Sequence, residues 1–423
     1  MSFLSDIIYA AAGIVSSPLW GWRLWRTGKW RTDWAGRFGH CHVEPAKPGC
    51  KTVMLHAVSV GEVNAIRQLV DELACEGGDS IRIVVSTTTD TGTARAKALF
   101  EPRHTVVRYP LDFTASVRRF LDVVKPDVVG LVELEVWPTF VTECTRRGAS
   151  VCVINGRLSE RSYGRYRMLR PLVRSAFASL SQAAVQDEDY AERFAGMGTP
   201  GDRITVTGTM KWDTARIADT VDGADTLTAA LGIDRSKPLI VCGSSGPGEE
   251  KLFVDTLGDL GAQLLIAPRK PERFDEAAAA MNNPVRRSQC PDGTTRSPEP
   301  GRHILVDTIG DLRKAYSLAD VVVVGRSFCP LYGSDMTEPI ALGKPTVIGP
   351  NTDDFRDMMA KLLAGDGIVQ VVDAAGLRDA VKRLLDPQAA AELAERGRAV
   401  IRQQQGATAR HTRLILDLLN QTP

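Results

Sequence analysis

Apolar and polar positions along the chain alternate between two rhythms, short continuous apolar runs and longer stretches of helical period. Val53-Met-Leu-His-Ala57, Ile81-Arg-Ile-Val-Val85, Asp127-Val-Val-Gly-Leu-Val132, Val151-Cys-Val-Ile154, Ala183-Ala-Val185 and Ile204-Thr-Val206 read as strands, with helical patterns between them. Continuous rather than alternating apolar runs predict strands buried on both faces, hence a parallel sheet covered by helices. Thr214 to Pro238 is rich in small residues and Asp and lacks a strong strand, and it marks a domain boundary. A second series then follows: Leu239–Cys242, Leu264–Ile266, His303–Val306, Val321–Val324 and Thr346–Ile348. Ala374 to Leu385 and Ala389 to Leu419 read as closing helices, and Pro291 to Gly301 as a polar, exposed loop. The expected organisation is an amino-terminal segment (1–40), a first Rossmann-like domain (41–215) and a second (216–423). Two open parallel sheets of this kind are expected to bind ligands at the carboxyl ends of their strands, in a cleft.

The amino-terminal segment departs from the rest. It is mostly apolar from Phe3 to Trp25, interrupted by Asp6 and Pro18, and five of the chain's seven tryptophans (Trp20, Trp22, Trp25, Trp30, Trp34) lie at its end or just beyond. Arg23, Arg26, Lys29, Arg31 and Arg37 are interleaved with them. Indole and cationic side chains favour the headgroup layer and anionic lipid, so this reads as a membrane contact on the cytoplasmic side, spanning or interfacial. A helix packed on the protein's own body is the competing reading. No Lys or Arg precedes the apolar run, which argues against a cleaved signal peptide. Over the whole 423 residues, 52 Lys+Arg and 51 Asp+Glu nearly cancel, so no general basic field points to nucleic acid. The eight cysteines are scattered without CxxC or zinc spacing, as for core thiols in a reducing compartment.

Chemistry concentrates at strand ends. Ser59-Val-Gly-Glu62 follows a strand and opens a helix: Gly61 suits a tight turn, and the helix dipole is expected to keep Glu62 ionised. An ionised carboxylate there can take a proton from an attacking hydroxyl, though Glu in a first turn is also simple capping. Glu133-Leu-Glu135-Val-Trp-Pro138 follows another strand; its carboxylates serve either a site or ion pairs with Arg146, Arg147 or Arg157. Asn155-Gly-Arg157-Leu-Ser159-Glu-Arg161-Ser162 brings anion-binding donors, and Arg165, Arg167, Arg170 and Arg174 continue as an anion surface or a solvated face. In the second half, Gly243-Ser244-Ser245-Gly-Pro-Gly-Glu-Glu250 leaves a strand for a helix, where main-chain amides can cradle a phosphate without a Walker loop. Arg269 and Lys270 follow the next strand, suited to phosphate or a sugar carboxylate. Gly325-Arg326-Ser-Phe328 and Tyr332-Gly-Ser-Asp335-Met-Thr-Glu338-Pro339 come last, with Glu338 poised to accept ribose hydroxyls.

Taken in order, His56–Glu62, Glu133–Pro138, Asn155–Tyr163, Val206–Asp213, Pro268–Phe274 and Glu338-Pro339 resemble the Kdo transferases, which move 3-deoxy-manno-octulosonic acid (Kdo) from CMP-Kdo to a lipid A precursor. The resemblance covers nearly the whole chain. It implies an α/β GT-B fold of two facing Rossmann-like domains, with acceptor binding in the first and CMP-Kdo in the second. It further implies metal-independent transfer with inversion at the anomeric carbon, without a cofactor, at the inner membrane. Glu62 is then the general base; Ser59, Gly61, Glu133, Glu135, Arg157 and Arg161 orient the acceptor. Ser244, Ser245, Arg269, Lys270, Arg326, Asp335 and Glu338 hold the donor. The chain departs from the family where Gly-Gly-His-Asn is usual and Tyr332-Gly-Ser-Asp335 stands, where Ser-Thr-His-Glu-Gly-Glu is usual and Ser244-Ser-Gly-Pro-Gly-Glu249 stands, and where Gly-Gly-Ser is replaced by Gly325-Arg-Ser327. Two imidazoles are thereby lost beside the donor and a carboxylate is gained. Those departures leave open a different activated sugar, or a membrane-bound binding protein without chemistry.

Overall fold

The computed structural model describes residues 32–101 and 103–422, with Asp6, Tyr9, Ser17, Trp22 and Arg26. Two compact units emerge, one from the residues up to Thr214 together with Gln405 onward, the other from Ala215–Gln404. The first holds β1 (Lys51–His56), β2 (Ile81–Thr87), β3 (Thr105–Arg108), β4 (Val128–Val132), β5 (Ser150–Gly156), β6 (Gln182–Val185) and β7 (Ile204–Val206). They form one parallel sheet in the order β3-β2-β1-β4-β5-β6-β7. Strand side chains alternate between two cores. Val53, Leu55, Val128 and Ile154 meet the helix Arg67–Gly77, while Met54, Val129, Val151 and Val153 meet Phe120, Phe140 and Phe177. Each such side chain taken from water stabilises the fold by roughly 1.5–3 kcal/mol, which explains the unbroken apolar runs.

The second unit repeats the plan with β8 (Leu239–Ser245), β9 (Gln263–Pro268), β10 (Val285–Arg286), β11 (Ile304–Leu305), β12 (Val321–Val324), β13 (Thr346–Ile348) and β14 (Val369–Gln370). The order is β10-β11-β9-β8-β12-β13-β14, again all parallel. Strand order reverses between β1 and β4 in one sheet and between β8 and β12 in the other. Both reversal points are fastened alike at their amino ends. The Asp127 carboxylate accepts the Thr52 N–H (2.6 Å) while the Asp127 N–H donates to the Thr52 carbonyl (2.9 Å). Asp320 and Leu239 repeat the reciprocal pair at 2.8 and 2.9 Å. At the carboxyl ends of these strands the chain parts, and the chemistry-bearing loops begin.

The carboxyl terminus corrects the expected domain division. Residues 389–419 are not one helix of the second domain. A helix Pro387–Gln404 ends there, Gly406 takes φ +96°, and a new helix Ala407–Gln421 packs on the first unit. Its Ile415, Leu418 and Leu419 join the core of Val53, Leu55 and Leu69. The Asp213 carboxylate accepts the N–H groups of Gly406 (2.7 Å) and Thr408 (2.6 Å) and the Thr408 hydroxyl (2.7 Å). At the other end the Lys51 ammonium donates to the Leu419 and Thr422 carbonyls. Both charges complement the helix dipole.

Most of the amino-terminal segment, with Trp20, Trp25 and Trp30, lies outside the described residues. Of those described, Asp6 accepts the Thr114 N–H (2.9 Å) and the Tyr9 hydroxyl donates to Asp112 (2.9 Å), so both touch the first unit. The Arg26 guanidinium sits 5.2 Å above the Trp22 ring, which is exposed. Among the described residues no helix is long and apolar enough to cross a membrane.

Asp213→Ala removes three hydrogen bonds at one buried carboxylate. It is expected to lower the unfolding free energy by about 2–3 kcal/mol and to raise proteolytic cleavage near Gln405. Denaturant unfolding and limited proteolysis of the full chain check this; unchanged stability would remove the carboxyl-terminal helix from the first unit's framework.

Candidate active site

In the first unit β1 ends at His56, and the chain turns through Val58 into a helix, Val60–Ala65, with Ser59 as its extended N-cap. Ser59-x-x-Glu62 closes a capping box in modified form. The Ser59 hydroxyl accepts the Glu62 N–H (3.4 Å) and donates to Glu62 Oε1 (2.9 Å), while Glu62 Oε2 accepts the Val58 N–H (2.8 Å). The dipole argument expected Glu62 to be held ionised. Burial wins instead and pushes the carboxyl above its ordinary value, against the Val58 and Ser59 hydrogen bonds and with help from Glu133 and Glu135. A carboxylate with raised affinity for protons is a stronger base. Gly61 is not required by the turn: a Cβ there would meet only the Ser59 hydroxyl, at 3.8 Å.

Parallel register sets His56 beside Leu131, so the loop after β4 lies next to the loop after β1. Glu133 takes φ +59°; its N–H donates to the Ile154 carbonyl and its carbonyl accepts the Arg157 N–H (3.4 Å). Glu135 Oε2 accepts the Trp137 indole N–H (2.8 Å) and lies 3.8 Å from His56 Nε2. The His56 ring is fully buried, stacked on Tyr109 at 3.7 Å, with Nδ1 against the Ser86 hydroxyl (2.9 Å). Burial drives Glu135 upward, but His56 and Trp137 outweigh it and hold this carboxyl below the usual range. Arg146 and Arg147, the alternative partners, pair with Glu143 and Asp122 instead. Two neighbouring carboxyls are thus moved in opposite directions, Glu62 toward proton uptake and Glu135 toward permanent charge.

Sequence reasoning placed Asn155 at the head of a motif without giving it a role, and passed over His411. Asn155 ends β5's apolar run at φ +52°, with its Oδ1 accepting the Met210 N–H (3.1 Å) and its carbonyl accepting Gln186 Nε2 (3.0 Å). Its own N–H donates to Nε2 of His411, a fully buried ring on the carboxyl-terminal helix (3.2 Å). A main-chain N–H can only donate, so Nε2 is unprotonated; burial drives the imidazole's pKa down to about 3 and keeps it neutral. Asn before Gly was the available signal, since Asn tolerates the left-handed region. Arg157 and Arg161 are exposed, Arg161 in the first turn of the helix Glu160–Met168.

In the second unit the loops after β8 and β12 are joined by a residue that sequence reasoning left unassigned. Glu249 is buried, and its carboxylate accepts the N–H groups of Gly246 (2.7 Å), Arg326 (2.6 Å) and Phe328 (2.7 Å). Gly325 is required here, because a Cβ would stand 2.6 Å from the Ser245 Cα. Ser245 turns inward, its hydroxyl donating to Glu250 (2.6 Å), which also takes a two-pronged contact from Arg273. Ser244 (φ +59°) lies over the buried phenol of Tyr316, whose hydroxyl bonds the Ser244 side chain. Arg269 and Lys270 are exposed at the end of β9, and the Arg326 guanidinium reaches the Leu331 carbonyl (3.2 Å). Asp335 Oδ1 accepts both the N–H (2.8 Å) and hydroxyl (2.7 Å) of Thr337, so this carboxylate, one residue ahead of the N-cap Met336, holds the first residue of the helix Thr337–Ala341. Glu338 is half-buried, its carboxyl raised by burial and opposed by Arg313 at 3.5 Å.

Among the described residues nine non-glycines have positive φ, and five of them stand at the carboxyl ends of strands: Asn155 and Ser244 in the last residues of β5 and β8, and Glu133, Arg326 and Tyr332 on the loops after β4 and β12. Each costs of order 1–3 kcal/mol and persists only where neighbours over-determine it. The strain therefore marks the same loops as the carboxylates and cations.

Residues 32–214 match the family described as 3-deoxy-D-manno-octulosonic-acid transferase (kdotransferase). The chain is similar to the 3-deoxy-D-manno-octulosonic acid transferase of Bordetella pertussis, 32% identical over 93% of this chain and 94% of that one. It is also similar to that of Haemophilus influenzae, 30% identical over 93% and 92%. Among solved structures, MurG from Acinetobacter baumannii superposes with a TM-score of 0.56 over 87% of this chain and 99% of that one at 17% identity, a likeness of fold. Two parallel seven-stranded sheets with these neighbours make the architecture GT-B. With nearly full-length relatives at 32% and 30% identity, the chain belongs to the 3-deoxy-D-manno-octulosonic acid transferase family.

Proposed function

We propose that this chain transfers Kdo from CMP-Kdo to a hydroxyl of a lipid A precursor, at the cytoplasmic face of the inner membrane. The observation that carries the reading is Glu62, half-buried, aimed by Val58 and Ser59, and flanked by Glu133 and Glu135. In the proposed step the acceptor oxygen attacks the anomeric carbon as its proton passes to Glu62. The bond from that carbon to the phosphate oxygen breaks, its electron pair leaves with CMP, and configuration inverts. No metal or cofactor enters this reading; Arg269, Lys270 and Arg326 supply positive charge for the departing phosphate, and Glu338 accepts ribose hydroxyls. Ser244 and the main-chain amides after β8 complete the donor group, while Arg157 draws acceptor phosphate toward Glu133. Exposed Trp22 under Arg26 supports contact of the amino-terminal segment with lipid.

Purified protein in detergent, given freshly generated CMP-Kdo and a tetraacylated lipid A precursor, is expected to add Kdo, read as a mass increase. Intact CMP-Kdo without product would overturn the donor assignment, and a panel of other nucleotide sugars would then name the replacement. Glu62→Gln is expected to lower kcat by about 10²–10⁴ with the fold intact; near-normal turnover would remove Glu62 as base. The base works deprotonated, and its pKa is raised. The rate is therefore expected to rise with pH through a limb above the ordinary Glu value of 4.5, and to level off above it. Asp335→Asn keeps the oxygen that accepts from Thr337 and is expected to leave KM for CMP-Kdo within about twofold; a tenfold change would return the Asp335 carboxylate to the donor site.

A further inference from the structure

The helices Glu160–Met168 and Arg170–Ala178 carry a surface that the transfer step does not use. Their inner side is ordinary: Val173, Ala176 and Phe177 enter the core, and Tyr163 and Tyr166 pack against it. The outer side is not. Met168, Leu169 and Leu172 are 76%, 51% and 47% exposed, three large apolar side chains within five residues at the joint between the helices. From Arg157 to Arg174 six arginines stand against a single acid, Glu160. Arg161, Arg165, Arg167, Arg170 and Arg174 are all exposed, and none makes an ion pair among the described residues. Neighbouring helices behave differently: Arg118 and Arg146 meet Glu143, Arg147 meets Asp122, and Arg193 meets Asp189.

Unpaired guanidinium groups around an exposed apolar ridge fit one partner by charge and by polarity together. That partner has fixed negative charge at its surface and hydrocarbon just beneath. An acidic protein surface satisfies the arginines but not the ridge, and a free phosphate leaves Met168, Leu169 and Leu172 in water. The face also adjoins the reaction centre. Tyr166 on its inner side lies near enough to Glu135 to feel its charge, and exposed Trp137 follows Glu135 in the same loop.

We propose that the outer face of Glu160–Ala178 is a second membrane-docking surface, separate from the amino-terminal segment, with Met168, Leu169 and Leu172 entering the headgroup layer of an anionic bilayer and the arginines seated on lipid phosphates. It rests on the reading of the acceptor as a lipid. Docking here holds the Glu133–Trp137 loop at the lipid surface, so the acceptor's sugar reaches Glu62 while its acyl chains stay in the bilayer.

The test uses the full chain without substrates, so a failed transfer assay does not decide it. Amide hydrogen exchange is followed with vesicles of phosphatidylcholine, alone or mixed with phosphatidylglycerol. With the anionic vesicles, amides between Gly164 and Val173 are expected to exchange about tenfold more slowly. Unchanged exchange there while the protein still sediments with vesicles would leave attachment to the amino-terminal segment and overturn the proposal. Equal protection by inorganic phosphate alone would make the face a phosphate site, and protection that grows with protein concentration alone would make it a contact between copies; either outcome overturns it. A chain with Arg165→Gln, Arg167→Gln and Arg170→Gln, all at exposed positions, is expected to partition onto anionic vesicles about a hundredfold less, each guanidinium contributing independently. Wild-type partitioning of that variant would sink the idea.

Discussion

Everything that carries chemistry in this chain depends on how two parallel strands are held together at a reversal of strand order. β1 and β4, and again β8 and β12, are locked at their starts by an aspartate that both gives and takes a main-chain hydrogen bond, Asp127 with Thr52 and Asp320 with Leu239. Fixed there, and buried along nearly their whole length, the strands have no freedom of register. Their loops are delivered at a set height, with Glu62 beside Glu133 in one unit and Ser244 beside Arg326 in the other. A one-residue slip would turn each core side chain to the wrong face, so the register of the core is also the register of the site.

The loops themselves are shaped by a second use of the carboxylate. Glu62, Glu249, Asp213 and Asp335 each collect main-chain N–H groups that no strand or helix would otherwise satisfy. These contacts hold left-handed residues in place and explain how the strain at Arg326 is sustained. They also sort the acids by role. A carboxylate saturated by N–H donors, such as Glu249, is a structural pin. Glu62 is different, because it keeps two hydrogen bonds yet remains half-buried near two other carboxyls, and so retains an appetite for a proton.

Much of this was legible in the residues. Long apolar runs such as Val128–Val132 announce a buried parallel strand, and Ser59-x-x-Glu62 announces a helix start at its end. Strands of two residues, such as Val285–Arg286 and Val369–Gln370, leave no pattern to read and exist only because a neighbour is already in place. The upward shift of the Glu62 carboxyl was not legible, because the helix dipole is visible in sequence and burial is not. Ser245 looked like a phosphate ligand by its place in a Gly-rich turn, but its hydroxyl belongs to Glu250, five residues on in the next helix. Asn155 and His411 were invisible as a pair, being 256 positions apart. The helix beyond Gly406 continued an apolar rhythm, and nothing local said that it would cross to another core.

That crossing orders events during synthesis. Ala407–Gln421 supplies His411 to Asn155 and Ile415 and Leu418 to the first unit's core, yet it follows the whole of Ala215–Gln404 in the chain. At typical elongation rates the ribosome takes about ten to forty seconds to make that intervening stretch. Throughout that time the nascent first unit holds open the part of one sheet face that Ile415 and Leu418 will cover, and it closes only after the second unit has been made.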